Sequence, residues 1–317
     1  MSLKRSLGRV FWRCESVLGE WRLPRPSDPS GFRASLDDQD VLIRWPRTYS
    51  NPTASVWADQ IRDGLRKMLL FERVDLEQPK NRSEVRFQLV RRGVTHDVCL
   101  DYLDRNDVDP DFASRFTVYF KMQYREGGYG LEHVVPGGYL LRRVSDYLRL
   151  PALRELADRR AYRFDVHGRF GFNPRNANND LRAKAVEILK DAGYASFTGT
   201  LERVGKKRYM EEIAESKVCV DLFGHGFLCH RLAEYLSVGA CIVAPRNPNR
   251  LPEPLVDGKH IAFVEPDLSN LVDVCKYYLA REDQRWAMVR GSRAYFDAHL
   301  HRDRLVEHYV REMLSRT

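Results

Sequence analysis

Residues 218–245, VCVDLFGHGFLCHRLAEYLSVGACIVAP, constrain the fold more than any other stretch. Val218, Val220, Leu222 and Phe223 form an alternating and then continuous apolar run, the pattern of a buried strand. Gly224-His225-Gly226 makes a loop. A helical run from His230 to Val238 is stopped by Gly239. Residues 240–244 read as a second strand, stopped by Pro245. Strand, glycine loop, helix and strand in that order predict parallel strands joined by a right-handed crossover. The loop then stands at a strand's carboxyl end, where open α/β sheets take their ligands. A glycine loop feeding a helix N-terminus offers backbone N–H groups and a partial positive charge to a phosphate.

Two side chains sharpen that expectation. Arg231 falls in the helix's first turn, and Glu234 falls three residues on, on the same face. A guanidinium there can hold a diphosphate with two parallel bonds, and a carboxylate one turn deeper can accept from two ribose hydroxyls. The competing account is an i,i+3 salt bridge on a solvated face, worth about 0.2–0.5 kcal/mol. An arginine in the first turn opposes the helix dipole, which favours acids there, so the position points to an anion. His225 and His230 flank the loop and can reach the same phosphate, against a capping or loop role.

On these residues the chain resembles the nucleotide-sugar half of GT-B glycosyltransferases. It is most similar to the compact bacterial family 1-like enzymes and the C-terminal half of exostosin- or CAP10-like enzymes. These carry a glycine loop, an Arg, a Glu and an E-x-x-x-x-G ending, here Gly224, Gly226, Arg231, Glu234 and Gly239. The similarity continues through Pro252-Glu253-Pro254 and Asp257-Gly258 to the strand at residues 261–264. Gly168-Arg169, ending a strand expected at residues 162–170, resembles the glycine–arginine that GT-B enzymes place near the donor phosphates. The resemblance covers the last half of the chain well and the first half by pattern. Retaining GT-B families add a second Glu in an E-x7-E pair. Gly226 holds that position here, which implies an inverting enzyme.

The implied fold is α/β, with two Rossmann-like domains facing across a cleft. At 317 residues the chain suits two domains. We expect a basic segment and linker at residues 1–30, an acceptor-side domain at 31–160 and a donor domain at 161–317. A C-terminal helix at residues 303–314 is expected to pack back on the first domain. In the first domain, DVLIRW at residues 40–45 reads as a core strand and residues 55–70 as a helix. The loop between them sets Arg44, Arg47 and Asn51 toward an acceptor. Further strands are expected at residues 71–76, 85–90, 97–103, 116–122 and 134–141.

Transfer requires that the leaving diphosphate be neutralised and the attacking hydroxyl be deprotonated. The first task falls to Arg169, Arg231 and the helix N-terminus, with no cofactor and no metal expected. Asp107-Val108-Asp109 matches a D-x-D pattern but lies in an acidic turn before Pro110. The base is expected from the first domain: Asp104 or Asp101 at a strand end, with Glu126 and His133 as further possibilities. Each of the four also reads as an ordinary polar loop residue.

The six cysteines include no C-x-x-C pair and the nine histidines no zinc spacing. Small core roles for the cysteines indicate a reducing compartment, so a cytoplasmic location is expected. No apolar run approaches the roughly 20 residues that span a bilayer. Residues 1–23 are basic and amphipathic, and can lie on the inner, anionic face of a membrane or pack on the domain. A net charge of +8 suits anionic partners generally. Its arginines are scattered among acids, with no RRM or KH signature, so nucleic acid is the weaker partner. The expected partners are a nucleotide sugar and a glycan or lipid-linked acceptor. The other classes left open are a nucleic-acid-binding protein and a nucleotide-sugar binder without turnover.

Overall fold

The computed structural model describes residues 32, 40–51, 54–80, 84–171, 176–194, 196–198 and 204–317. The segment expected at a membrane, residues 1–23, lies outside them.

The first unit runs β1 (Val41–Pro46), α1 (Ser55–Met68), β2 (Leu70–Val74), β3 (Val85–Arg91), β4 (Val94–Asp101), the short α2 (Pro110–Ala113), β5 (Val118–Lys121) and β6 (Val134–Pro136). Its strands form one sheet in the order β2-β1-β3-β4-β5-β6. Only β3 runs against the others. The sequence reading expected separate strands here, whereas β3 and β4 make a two-residue hairpin. Arg92 and Gly93 both sit at positive φ, 51° and 76°, the backbone whose twist matches a tight hairpin. Because β3 is reversed between β1 and β4, the other five strands still point their carboxyl ends to one edge. In β1, Val41, Ile43 and Trp45 alternate inward and are fully buried, as period-2 patterning requires.

The second unit contains α3 (Val144–Asp158), β7 (Phe164–His167), α4 (Asn179–Asp191), α5 (Lys206–Ala214), β8 (Ser216–Val220), α6 (His230–Val238), β9 (Ile242–Pro245), β10 (Ala262–Val264), α7 (Leu271–Ala280) and α8 (Glu282–Tyr295). A π-turn at Phe296–Leu300 leads into α9 (Arg302–Leu314). The sheet is parallel, in the order β10-β9-β8-β7. An isolated parallel bridge from Val166 to Phe197 extends it beyond β7. The α/β class with two facing sheets therefore holds. Helix α6 stops where the sequence says it should: Gly239 takes φ +86°, and its N–H closes on Tyr235 O at 3.1 Å.

Two features join the units. Helix α9 returns to the first sheet, where Leu305, Val306, Tyr309 and Met313 enter the core beneath Ile61, Leu65 and Phe120. Gly64 lets α1 and α9 close up, since any Cβ there would meet the Val306 side chain. Helix α3 precedes residue 160 but contributes Leu150 and Leu153 to the core containing Leu232 and Leu236 of α6. That core also takes Met122 and Tyr139 from the first unit.

Candidate functional site

The chain leaves β7 toward Phe197 on one side and returns to β8 on the other. The crevice at these two carboxyl ends is the switch point at which open α/β sheets take ligands. It gathers Gly168 and Arg169 after β7, Gly224, His225 and Gly226 after β8, and His230, Arg231 and Glu234 on α6.

Arg231 is buried, at 7% exposure. Its Nε donates to Asp221 Oδ1 at 2.6 Å, its Nη2 to Leu222 O and its Nη1 to Arg169 O at 3.4 Å. The ring of Phe170 lies 5.2 Å from Cζ. The expected two-pronged hold on a diphosphate is thus directed inward in this structure: the guanidinium joins the end of β8 to α6. Burial works against its charge, but Cys229 and Asp221 beside it hold its pKa well above the usual value.

Arg182, on α4, is the residue that sequence reasoning missed. It is 6% exposed, and donates to Phe223 O at 2.8 Å and to Gly171 O at 2.5 Å. Its Nη2 lies 3.6 Å from where a Cβ on Gly224 would stand. Burial, and then the charge of Arg231, lower its pKa to about 10. Among the described residues its hydrogen bonds go to carbonyls and it forms no carboxylate pair. Asn178 Nδ2 holds Gly224 O at 2.7 Å, so α4 clasps the glycine loop by two side chains.

Arg169 and Arg208 share Glu212, Arg169 through Nε and through Nη2 at 3.0 Å, Arg208 at 2.9 Å. Burial pushes the Glu212 carboxyl up, but these two guanidiniums outweigh it and hold it below its ordinary range. His167 beneath them is fully buried. Burial lowers its pKa to about 3, so it is neutral, with Nδ1 on Tyr235 Oη at 2.9 Å. Around the crevice Arg169, Arg182, Arg208 and Arg231 therefore face Asp221 and Glu212, four guanidiniums against two carboxylates, beside the separately matched pair Lys206–Glu234. Gly168 serves packing, since a Cβ there would lie 2.9 Å from the Phe170 ring.

Glu234 is buried and paired with Lys206. Asp146 of α3 is buried nearby, and among the described residues both its oxygens lack a hydrogen-bond partner. Burial raises its pKa, Lys206 partly offsets this and Glu234 adds to it. His230, beside Glu234, is lowered by burial and so neutral near pH 7.

The first unit faces this crevice with the end of β4. Asp104 is exposed at the lip of this crevice, but desolvation by the surrounding protein raises its pKa, with His225 and Lys121 acting against the rise. Two residues proposed from sequence, Asp104 and His225, are thus brought together across the cleft. Asp101 is not there. It is buried, with Oδ2 accepting from Lys121 Nζ at 2.8 Å and Tyr119 Oη at 2.6 Å, and Oδ1 accepting from Leu103 N at 2.8 Å. It shapes the turn that carries Asp104 and presents no oxygen to the cleft. Gln123 locks the two units: its Nε2 donates to Leu228 O at 2.7 Å, and its Oε1 accepts from Leu228 N at 3.0 Å and Asn249 Nδ2 at 2.8 Å. Gly226 lies against this lock, where a Cβ would overlap the Gln123 amide and stand 2.7 Å from Asp104 O.

A cavity of about 420 Å³ adjoins the glycine loop on its other side, at the carboxyl ends of β9 and β10. Glu126 of the first unit reaches its wall. The remaining sequence candidates lie elsewhere. Arg44 pairs with Glu72 and Arg47 with Asp75, while Asn51 O caps Ala54 N. His133 Nε2 meets Ala113 O at 3.1 Å. Asp109 caps α2 by accepting from Phe112 N at 3.1 Å, and Asp107 pairs with Arg105.

A family model described as glycosyl transferase-like matches residues 144–314. Among solved structures, the chain is similar to HepE of Anabaena, in a crystal structure described as a complex with UDP and glucose. The two are 13% identical with a TM-score of 0.40, and the match covers 65% of each chain. No curated protein matches.

Proposed function

The chain belongs to the glycosyl transferase-like family, and from that premise we propose that it moves a sugar from a nucleoside diphosphate sugar to an acceptor hydroxyl. The observation that carries the reading is the crevice at the ends of β7 and β8, where four arginines meet two carboxylates opposite Asp104. Charge grows on the diphosphate as the bond to the sugar breaks, so preorganised guanidiniums stabilise the transition state more than the ground state. Arg182 and Arg169 supply that field from the wall. Arg231 and the N-terminus of α6 complete it from below, and Glu234 is assigned to the ribose. Because the guanidiniums meet the charge, the reading needs no metal.

In the proposed step the bond from the anomeric carbon to the diphosphate oxygen breaks, and a bond from that carbon to the acceptor oxygen forms. The nucleoside diphosphate leaves, and the acceptor's proton passes to Asp104. The raised pKa of Asp104 suits a base that must take a proton and release it again. A single displacement inverts the anomeric centre. Supporting this, position 226 has no room for the second carboxylate of a retaining pair, because its α-hydrogen side is filled by Gln123. We further carry contact of residues 1–23 with an anionic membrane surface, at the cytoplasmic face, as part of the proposal.

The test is a thermal-shift screen of the full chain against UDP, GDP, ADP, CMP and dTDP sugars, followed by assay of released nucleotide. One sugar nucleotide at 100 times its Kd should stabilise by about 2.7 kcal/mol, and nucleoside diphosphate should accumulate only when acceptor is added. Stabilisation with no transfer and no donor hydrolysis across an acceptor panel would identify a binding protein instead.

A further inference from the structure

The cavity at the ends of β9 and β10 is not used by the chemistry above. It lies within the usual range for small-molecule sites, about 300–1,000 Å³. Its walls are largely apolar, with Pro254, Leu255, Ile261 and Phe263 forming one side. Two arginines stand among them, Arg246 and Arg250. Each guanidinium rests on an aromatic ring, Arg246 at 4.4 Å from the Phe263 centroid and Arg250 at 5.0 Å from that of Tyr124. Among the described residues neither meets a carboxylate, and the buried Nε of Arg250 has no hydrogen-bond partner. Elsewhere in this protein comparable arginines are matched: Arg154 meets Asp297, Arg293 meets Asp158 and Arg231 meets Asp221. Of the two acids at the cavity, Asp221 is already bound to Arg231.

We infer that this cavity is the acceptor site, and that it takes an amphipathic anion, an apolar body joined to a phosphate. The inference rests on the glycosyl-transfer reading and adds the chemical class of its acceptor. Apolar walls reward burial of hydrocarbon in proportion to area removed from water. The buried Arg250 Nε, without a partner among the described residues, then requires an acceptor, since a buried donor left unmade carries the full desolvation penalty, and the exposed Arg246 guanidinium adds a second positive charge at the cavity mouth. Glu126 of the first unit stands at the same wall. The cavity shares Asp221, Leu228 and Leu232 with the loop and helix of the donor crevice, so an acceptor held here lies next to the donor rather than on a remote face.

The probe is farnesyl phosphate, used below its aggregation concentration and titrated by calorimetry into the full-length chain. Farnesol and inorganic phosphate serve as the two half-ligands. Saturable one-to-one binding is expected, at least tenfold tighter than either half alone. The double variant Arg246→Gln/Arg250→Gln should lose at least tenfold in affinity for farnesyl phosphate, with an unchanged thermal midpoint. It should bind the nucleoside diphosphate found in the donor screen as well as the wild type does. No saturable binding, or equal binding by the folded double variant, would overturn the inference. So would displacement of farnesyl phosphate by the nucleoside diphosphate, which would make the cavity part of the donor site. Failure of the donor reading shows separately, as a folded wild type that binds no sugar nucleotide.

Discussion

At the first sheet's carboxyl edge, Lys121 and Asp101 are both buried and neutralise each other, with Tyr119 completing the shell. At the second sheet's edge, among the described residues, four arginines are held by two carboxylates and a set of carbonyls. The first edge spends its charges on holding one turn in place and leaves Asp104 at the end of it. The second leaves an excess of positive potential over a glycine loop. In the proposed reading the two edges divide the work: the self-compensated edge positions a proton acceptor, and the edge with excess positive charge takes the anion.

The largest effect should come from unbalancing the first edge. Lys121→Met leaves the Asp101 carboxylate buried without its cation, and chemical denaturation should record a loss of about 3–5 kcal/mol. Adding Asp101→Asn in the same chain should restore much of it. If Lys121→Met alone costs nothing, the edge is not self-compensated and the comparison fails.

Removing the acid that this edge presents should act on rate and not on folding. Asp104→Asn is expected to lower the turnover number by about 10²–10⁴-fold while leaving nucleotide affinity unchanged. The wild-type rate should climb as pH rises through a midpoint above the ordinary aspartate range, because partial desolvation raises this carboxyl and the base works deprotonated. Since the folded state disfavours the charged form, Asp104→Asn should leave the thermal midpoint level or slightly higher at neutral pH.

The contact between the edges is probed at Gly226. Gly226→Ala forces a methyl group against the Gln123 amide and Asp104 O. Overpacking of this kind costs about 1–3 kcal/mol, and here it also strains the Gln123 bonds to Leu228. Hydrogen exchange should show faster opening of residues 226–229 than in the wild type; unchanged exchange would mean that the lock tolerates a side chain.

Much of this was legible in the sequence because the signals are local. The periodicity of residues 230–238 and the left-handed Gly239 delimit α6, and the run of residues 218–223 marks β8. The glycine loop was visible for the same reason. The β3–β4 hairpin was missed because its turn is Arg92-Gly93, and only the glycine advertises positive φ. Arg231 was placed correctly on its helix, but its partner Asp221 lies ten residues away on another element, so its burial could not be read. Arg182 carries no local mark at all. Its partners, Phe223 O and Gly171 O, come from two other segments, and only the fold reveals a guanidinium beneath the loop. Asp101 and Asp104 look equivalent in sequence; the pleat and the Lys121 ammonium separate them.

The measurement that bears most directly on the central claim is a calorimetric titration of the cognate nucleoside diphosphate into wild type and Arg182→Gln. Among the described residues Arg182 bonds only to carbonyls, so losing its charge leaves no buried carboxylate there unmatched, and the fold should survive with little change in thermal midpoint. The account predicts that affinity falls about tenfold, the 1.4 kcal/mol scale of one charge-assisted hydrogen bond. It also predicts that the wild type's affinity weakens as salt is raised, and the variant's less steeply. Equal affinity in a folded Arg182→Gln would contradict the claim that the diphosphate sits over this arginine at the ends of β7 and β8.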